Sequence, residues 1–251
     1  MLRLTARTSL VAALSFAQSS VPPSEAPQFE AASIHRIDAE EASGPSGCTT
    51  TPGLMRCTNV TLKRCIVGAY SVLPDQVRGG PDWIDVDRFQ IAGRSTQPLG
   101  DKGLMAMLQT LLADRFKLVL HRELRPGEAM VLEVGKKMPK LEPADNVRAS
   151  WKNMHDHLDA AKMTMGEFAE ILSRNLNLPV VDHTGLTGAF NFTLRWNPLE
   201  ADALPHDEAR ATLRSEVSAE IAKQLGLTLK FRKMPIELLV IDHAAKPSEE
   251  D

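Results

Sequence analysis

Asn59-Val60-Thr61-Leu62 begins the stretch that decides the fold, because the apolar residues of this stretch lie on one helix face: Leu62, Cys65, Ile66 and Ala69. About a hundred residues later, Met163-Thr164-Met165 begins the same pattern, with apolar residues at Met165, Phe168, Ala169 and Leu172. Both sets have the i, i+3, i+4, i+7 spacing of an amphipathic helix. Two helices are therefore predicted at corresponding places in two similar halves.

The segments after each helix also correspond. A turn rich in Gly, Pro and Asp leads to an alternating strand, at residues 89–91 in one half and 190–194 in the other. A second helical stripe follows, with Leu104, Met107, Leu108, Leu111 and Leu112 or with Leu213, Val217, Ile221 and Leu225. Two strands close each half, at 116–120 and 130–134 or at 227–231 and 238–241. The pattern predicts an α+β fold, a tandem duplication of an αβαββ unit with two-layer helix-on-sheet packing.

Length and composition indicate a folded protein. A chain of 251 residues that is 43% hydrophobic and 24% charged can bury a substantial core, as one domain or as two closely packed halves. We expect a flexible linker at 18–28, the first α/β half at 29–140, the second at 141–247 and a disordered tail at 248–251. The formal net charge of −3 does not favour nucleic acid or an anionic membrane as a partner.

The first 17 residues have the pattern of a secretory signal peptide. Arg3 and Arg7 precede a small, apolar stretch, and Ser15-Phe16-Ala17 places small residues at −3 and −1 of a cleavage after Ala17. The apolar run of about ten residues is half the length that a membrane helix needs. We expect an exported protein, periplasmic or extracellular, without a membrane span after signal removal. The alternative is an apolar start of a cytoplasmic protein.

The cysteines have two possible states. Cys48 and Cys57 flank Thr51-Pro52-Gly53-Leu54, and a two-residue loop at Pro52-Gly53 would place them opposite each other on a hairpin. Pro-Gly favours a type II turn, which suits a tight hairpin less well than Asn-Gly, so the register stays open. The alternatives are a disulfide between Cys48 and Cys57 in an oxidising compartment or three free thiols. Cys65 lies on the apolar helix face and is expected in the core.

Several motifs together resemble one bacterial family. They are Phe29-Glu30-Ala31-Ala32-Ser33-Ile34, Asn59-Val60-Thr61-Leu62, Gly79-Gly80-Pro81-Asp82-Trp83-Ile84-Asp85, Leu112-Ala113-Asp114-Arg115-Phe116-Lys117-Leu118, His121-Arg122-Glu123, Pro179-Val180-Val181-Asp182-His183-Thr184-Gly185-Leu186-Thr187-Gly188, Val240-Ile241-Asp242-His243 and Lys246-Pro247-Ser248-Glu249. Over nearly the whole mature chain, the sequence is similar to the Solibacter-type uncharacterised secreted family, a domain of unknown function.

The resemblance implies an exported protein without an established activity. Such domains are also found fused to BlaR-type membrane metallopeptidases, which implies an extracytoplasmic sensing or docking role. The chain departs from the family at His183, where Lys or Arg is common, and in its short linker at residues 197–207. The second half also resembles, more loosely, the βαβ modules at the periplasmic ends of secretins and TonB-dependent receptors, which bind protein partners.

Candidate catalytic and metal-binding residues are few. His155-Asp156-His157 could present two imidazoles to a metal, but no third ligand follows at a motif spacing, and a solvated loop is the other interpretation. Asp182-His183 and Asp242-His243 could each hold an acid-oriented base, but an Asp after an apolar strand commonly caps a turn. No nucleophile motif and no phosphate-binding loop occurs. We assign no catalytic, metal or cofactor-binding residue and expect no cofactor.

Two tryptophans lie near equivalent places in the two halves. Trp83 follows a Gly-rich turn, and Trp196 ends the strand at 190–195. Packing in the core is one interpretation. The other is that Trp83 and Trp196 line a groove between the halves together with the turn residues Asp182, Gly185 and Gly188. Glycines in such turns favour positive φ.

The sequence thus predicts an exported module that binds rather than catalyses. The leading hypothesis is a protein-interaction or sensing module of the bacterial envelope, with an envelope protein as its partner. A small-molecule-binding protein with a groove between the halves is the alternative, and an envelope hydrolase is a third. An interaction module should expose an apolar patch or a sheet edge, whereas a small-molecule site should be a closed apolar pocket. The oligomeric state is not predicted.

Overall fold

The computed structural model describes residues 26–38, 42, 44–136, 138–144, 149–197 and 205–248. The predicted signal peptide at 1–17 lies outside these residues, as do most of the predicted linker at 18–28 and residues 249–251 of the predicted tail. Residues 198–204 of the short linker between 197 and 207 lie outside them as well. In the described part of the chain, no helix is long and apolar enough to cross a membrane.

The chain forms both helices and strands, and this confirms the predicted α+β class. The strands are β1 (Ala31–Ile37), β2 (Gly47–Thr51), β3 (Leu54–Val60), β4 (Val77–Gly79), β5 (Arg88–Arg94), β6 (Val119–Val134), β7 (Glu142–Pro143), β8 (Ser150–Asn153), β9 (His157–Met163), β10 (Val180–Asp182), β11 (Phe190–Arg195) and β12 (Leu227–His243). The helices are α1 (Leu62–Ala69), α2 (Trp83–Val86), α3 (Asp101–Arg115), α4 (Met165–Leu176) and α5 (His206–Glu220), which continues as a π-helical turn at Ile221–Leu225.

The two helices that were predicted from matching stripes begin in the same way. Thr61 caps α1 by accepting a hydrogen bond from the Arg64 amide at 3.2 Å. Thr164 caps α4 in a full capping box, in which Glu167 bonds back to the Thr164 amide. That backbone hydrogen bond, together with the Lys102 ammonium, lowers the pKa of Glu167. Both helices bury the predicted apolar residues, which confirms their register.

The strands form three four-stranded sheets. The order β1-β5-β3-β2 makes a sheet within the first half, and β7-β11-β9-β8 makes one within the second. The third sheet, which we call the central sheet, has the order β10-β6-β12-β4 and takes strands from both halves. At its centre β6 and β12 form a long antiparallel ribbon, while β10 and β4 pair in parallel at the opposite edges. The central ribbon therefore joins the halves.

The last two strands predicted for each half are one continuous strand, so the αβαββ order was wrong at this point. β6 runs through Pro126-Gly127, and β12 runs through Pro235, in the gaps between the separately predicted strands. Pro126 and Pro235 lie directly opposite each other in the ribbon. The hairpin of β8 and β9 before α4 was also not predicted.

The backbone direction explains why the ribbon tolerates the two prolines. The Met130 amide donates to the Pro179 carbonyl, and the Leu132 carbonyl accepts from the His183 amide, so even-numbered residues of β6 direct their backbone groups towards β10. Pro126 has the same parity, and its missing N–H therefore faces away from β12. Because Pro235 is its direct partner, neither proline removes a hydrogen bond from the ribbon.

Two unpredicted details recur in both halves. Asn59 and Lys162, near the ends of β3 and β9, have φ of 53° and 55°. Asn59 lies at an irregularity in the pairing of β3 with β5, and Lys162 at one in the pairing of β9 with β11. Lys117 and Gly226, which follow the second helix of each half, have φ of 47° and 70°. The duplication itself stays a prediction, which a superposition of residues 59–134 on 163–242 tests.

Each half has its own hydrophobic core. The first is built on α1, α3, β3 and β5 and contains Phe89 and Phe116. The second is built on α4, β9, β11 and the π-helical turn and contains Phe168 and Phe192. The central ribbon contributes to both, because Leu239 and Ile241 of β12 lie in the first core whereas Leu227 and Leu229 lie in the second. The single strand β12 therefore packs into both cores and links them.

A disulfide joins Cys48 of β2 to Cys57 of β3. The two residues are direct partners across the hairpin that turns at Pro52-Gly53. Cys65 is buried in the first core, and burial raises the pKa of its thiol to about 12. A buried thiol with so high a pKa is almost entirely protonated at neutral pH and is therefore unreactive.

We expect the Cys48–Cys57 bond to form under oxidising conditions and to stabilise the protein by about 2–3 kcal/mol, because closing a loop of nine residues reduces the entropy of the unfolded chain. Urea unfolding of the wild type and of a Cys48→Ser/Cys57→Ser variant measures this difference. Thiol alkylation under denaturing, non-reducing conditions should modify Cys65 alone. Alkylation of all three cysteines would exclude the bond.

Candidate functional site

The central ribbon is covered at its two ends but not in the middle. Residues directly opposite in the ribbon share a face, so Leu124 lies on the same face as its partner Glu237 and as the buried Leu239 two residues further. The two cores cover this face at either end. Between them, Leu124 is 69% exposed and Phe231, on the same face, is 49% exposed. An apolar surface therefore lies open between the halves.

A groove of about 490 Å³ lies over the Leu124 part of this surface and is open to solvent. Its floor is the middle of the ribbon, and its walls are α4 and β10 on one side and the segment after α1 on the other. The lining residues are Tyr70, Ser71, Val72, Leu73, Gln76, Arg122, Leu124, Gly166, Ala169, Glu170, Ser173, Arg174, Pro179, Val180, Val181, Asp182, Met234, Pro235, Ile236 and Glu237. We call this site the inter-half groove.

The charged groups of the inter-half groove have mixed sign. Arg122 on the floor is ion-paired with Glu237 of the neighbouring strand. Burial raises the pKa of the Tyr70 hydroxyl, and the nearby Arg122 guanidinium opposes this shift. Glu170 and Arg174 come from the exposed face of α4, one helical turn apart. With both signs present, the groove has no focused charge of the kind that would select a single anion or cation.

The two edges of the ribbon differ where they border this groove. On β12, the outward carbonyl of Glu237 accepts a hydrogen bond from the Gln76 side-chain amide at 2.8 Å. On β6, Leu124 and Glu128 have the parity that directs their backbone groups outwards, beyond the short pairing with β10. Among the described residues, none bonds to those outward groups of Leu124 or Glu128. This part of the β6 edge is therefore unpaired.

Of the residues predicted to line a groove, Asp182 does so. Its carboxylate accepts hydrogen bonds from the amide and the hydroxyl of Thr184, which makes it the turn cap that the sequence suggested. Gly185 and Gly188 lie in the loop after β10, outside the lining, with φ of 67° and 91°. Their positive φ supports the turn interpretation rather than a place in the groove.

Trp83 and Trp196 do not meet in one groove. Trp83 packs against the first core, stacked on Phe116 with ring centroids 6.3 Å apart. Lys246 covers its ring at 5.8 Å and is ion-paired with Asp87 at 2.7 Å. Trp196 is buried in the second core. The core interpretation therefore describes both tryptophans, and the groove interpretation was wrong for them.

The suspected histidines do not line the inter-half groove. His157 faces two carboxylates, Asp156 at 2.6 Å and Asp159 at 3.5 Å. Asp242 contacts His121 of β6 at 2.8 Å rather than the adjacent His243. Within the described residues, no group of three or more His, Cys, Asp or Glu side chains is arranged to hold a metal ion.

A second depression, of about 680 Å³, lies on the outer face of the β7-β11-β9-β8 sheet. Its polar side chains bond mostly to neighbouring protein atoms. Thr193 donates to Asp159 at 2.8 Å, and Gln224 bonds to both backbone groups of Arg195. This depression is larger than the inter-half groove but offers few free polar groups, so the groove is the stronger candidate site.

Residues 63–244 match the model of a family described as a protein of unknown function, DUF3738. The chain belongs to this family. Comparisons with curated proteins and with solved structures find no match. The matched range contains every lining residue of the inter-half groove, from Tyr70 to Glu237. The groove therefore belongs to the DUF3738 domain itself and not to an extension of it.

The sequence reasoning missed Tyr70, Arg122, Leu124 and Arg174. A signal was present in the proline-containing stretches around Pro126 and Pro235, which occupy corresponding places in the two halves. These stretches were interpreted as breaks between strands. As one ribbon, they instead carry an exposed apolar face between two covered ends.

Proposed function

We propose that this DUF3738 protein is an exported, non-catalytic interaction or sensing module that binds a protein partner in the inter-half groove. The observation that carries the proposal is the exposure of Leu124, 69%, on the core-facing side of the central ribbon. A large apolar side chain in such a place is typical of an interaction surface. Exposed polar residues rim the same groove, as they do in protein interfaces.

The form of the groove favours a protein partner over a small molecule. Small-molecule sites enclose most of their ligand, whereas the inter-half groove is open along the ribbon. The shifted carboxylate pKa values belong to surface contacts, such as Glu133 with Lys230 and Glu220 with Lys223. These contacts do not assemble a nucleophile, a base and an orienting group in one cleft, which is what an enzyme site would combine.

Two features support export. The first 17 residues have the pattern of a signal peptide. The bond between Cys48 and Cys57 is of the kind that persists in oxidising compartments. The resemblance to domains fused to BlaR-type metallopeptidases agrees with an extracytoplasmic sensing role. Fractionation of cells that express the full chain, with mass measurement of the mature N-terminus, tests export and cleavage after Ala17.

A photo-reactive residue at position 124 is expected to crosslink to a discrete protein in intact cells. The matched control is the same residue at position 86, because Val86 is 68% exposed but lies on α2, away from the groove. We expect specific adducts from position 124 and none of the same mass from position 86. Gel shifts followed by mass spectrometry of the adducts measure this difference.

Equal adducts from both positions would show only non-specific contact, and no adduct at all from position 124 would contradict partner binding in the groove. Folding of each substituted protein is checked by circular dichroism. Since both positions are exposed, neither substitution should alter the fold.

A further inference from the structure

We infer that the partner enters the inter-half groove as an extended peptide strand that pairs with the unpaired edge of β6 between Arg122 and Glu128. This inference rests on the proposed function and specifies the chemistry of the partner. The proposed function needs only the exposed side chain of Leu124, whereas this inference adds hydrogen bonds between the β6 backbone and the partner.

The direction of the β6 backbone gives the first support. Met130 and Leu132 direct their amide and carbonyl groups to β10, and the ribbon has no bulge between these residues and Leu124. The alternation of a strand therefore directs Leu124, Pro126 and Glu128 to the same side. β10 pairs with Met130 to Leu132, and Pro179 just before it faces the Glu128 carbonyl, so the edge lacks a strand only from Leu124 to the Glu128 amide.

The other edge of the ribbon gives the second support. There the Gln76 amide occupies the outward carbonyl of Glu237, so the chain itself caps that edge at the position opposite Leu124. Leu124 lies directly opposite Glu237 in the ribbon. No described side chain donates a hydrogen bond to the outward carbonyl of Leu124. A strand edge left without such a cover is a template for pairing with another chain.

The unpaired groups define what the occupant must offer. Leu124 presents an amide and a carbonyl, Pro126 presents a carbonyl alone, and Glu128 presents its amide, because Pro179 faces the Glu128 carbonyl. The occupant must therefore supply two donors and two acceptors at alternate residues over about 13 Å, at about 3.3 Å per residue. A polypeptide in extended form has this pattern, and strand addition is an established way to bind one.

The surroundings fit a strand from a partner better than a second copy of this edge. Pro126 removes the central donor, and charged residues flank it at Glu123, Arg125 and Glu128. Such features discourage pairing of identical edges. On the groove side, Gly166 and Ala169 of α4 are small and leave room for alternate side chains of an incoming strand. Leu124 supplies an apolar contact beside them.

The test uses the mature protein and a 12-residue peptide that is selected against it from a random phage-displayed library. Single N-methylation along the peptide should weaken binding at every second residue of the paired segment, by at least about tenfold, and leave the intervening residues nearly unaffected. Amide hydrogen exchange should show new protection at Leu124 and Glu128. Leu124→Asp should weaken the same peptide by at least about tenfold, whereas the matched surface change Val86→Asp should not.

Binding without the alternating N-methyl pattern, or without protection of the Leu124 and Glu128 amides, would overturn strand pairing. Failure to select any peptide that Leu124→Asp weakens would overturn it as well. If position 124 still crosslinks to a partner in cells, such results refute the strand but not the proposed function. If the crosslink is also absent, the proposed function fails with it.

Discussion

Replacement of Phe168 by alanine is expected to lower the free energy of unfolding by about 3–5 kcal/mol, because it removes a large, fully buried side chain and leaves a cavity. Phe168 has no exposed surface and packs edge-on against Phe192, with ring centroids 4.9 Å apart. It anchors α4 to the sheet below it and so supports one wall of the inter-half groove. Equilibrium unfolding in urea, followed by circular dichroism, measures the change.

The matched control is Phe231→Ala, which makes the same chemical change at a ribbon position that is 49% exposed. We expect it to cost less than about 1 kcal/mol, since surface substitutions have small effects. A similar loss at both positions would contradict the assignment of Phe168 to the second core.

The same unfolding curves test whether the halves are independent. Because β12 places Leu239 and Ile241 in the first core and Leu227 and Leu229 in the second, loss of one core should unfold the other. Phe168→Ala is therefore expected to shift a single transition. A two-step curve, with only one step moved, would show two separate domains.

Gly226→Ala is expected to destabilise the protein by about 2–4 kcal/mol, which combines a conformational and a steric cost. Gly226 follows the π-helical turn with φ of 70°, where a side chain is unfavourable. A Cβ atom there would lie 2.8 Å from the Met138 carbonyl oxygen, a backbone atom that cannot rotate away. The Gly226 carbonyl also accepts a hydrogen bond from Gly135 at 3.0 Å, so the segment cannot easily shift.

Gly185→Ala is the matched control, because Gly185 has φ of 67° but no atom within 4 Å of an added Cβ. It should show only the conformational cost, about 1 kcal/mol. Urea unfolding of the two variants separates the two contributions. Equal effects would mean that the contact with the Met138 carbonyl has no energetic consequence.

The sequence by itself determined the local elements, because local spacing and capping are short-range properties. The stripes at Leu62 and Met165 placed both helices, and in the structure Thr61 and Thr164 cap them. The hairpin register that brings Cys48 opposite Cys57 was one of the two states that the sequence left open.

Local signals failed where the meaning of a residue depends on a neighbour far away in the chain. Pro126 indicates a turn on its own, but it is compatible with a continuous strand because its missing N–H faces away from β12. The sequence left open whether Trp83 and Trp196 pack in a core or line one groove, and each packs into a different core. Similar positions in the two halves of the sequence do not show whether two side chains meet in the folded protein.

The inter-half groove could come only from the tertiary structure. Leu124 belongs to a face whose two ends are covered by different halves, and whether its middle is covered depends on the distance between those halves. The unpaired edge of β6 likewise depends on where β10 stops and on which carbonyl the Gln76 amide reaches. Both features depend on contacts between segments that are far apart in the chain. The spacing of apolar and polar residues within one segment does not determine such contacts.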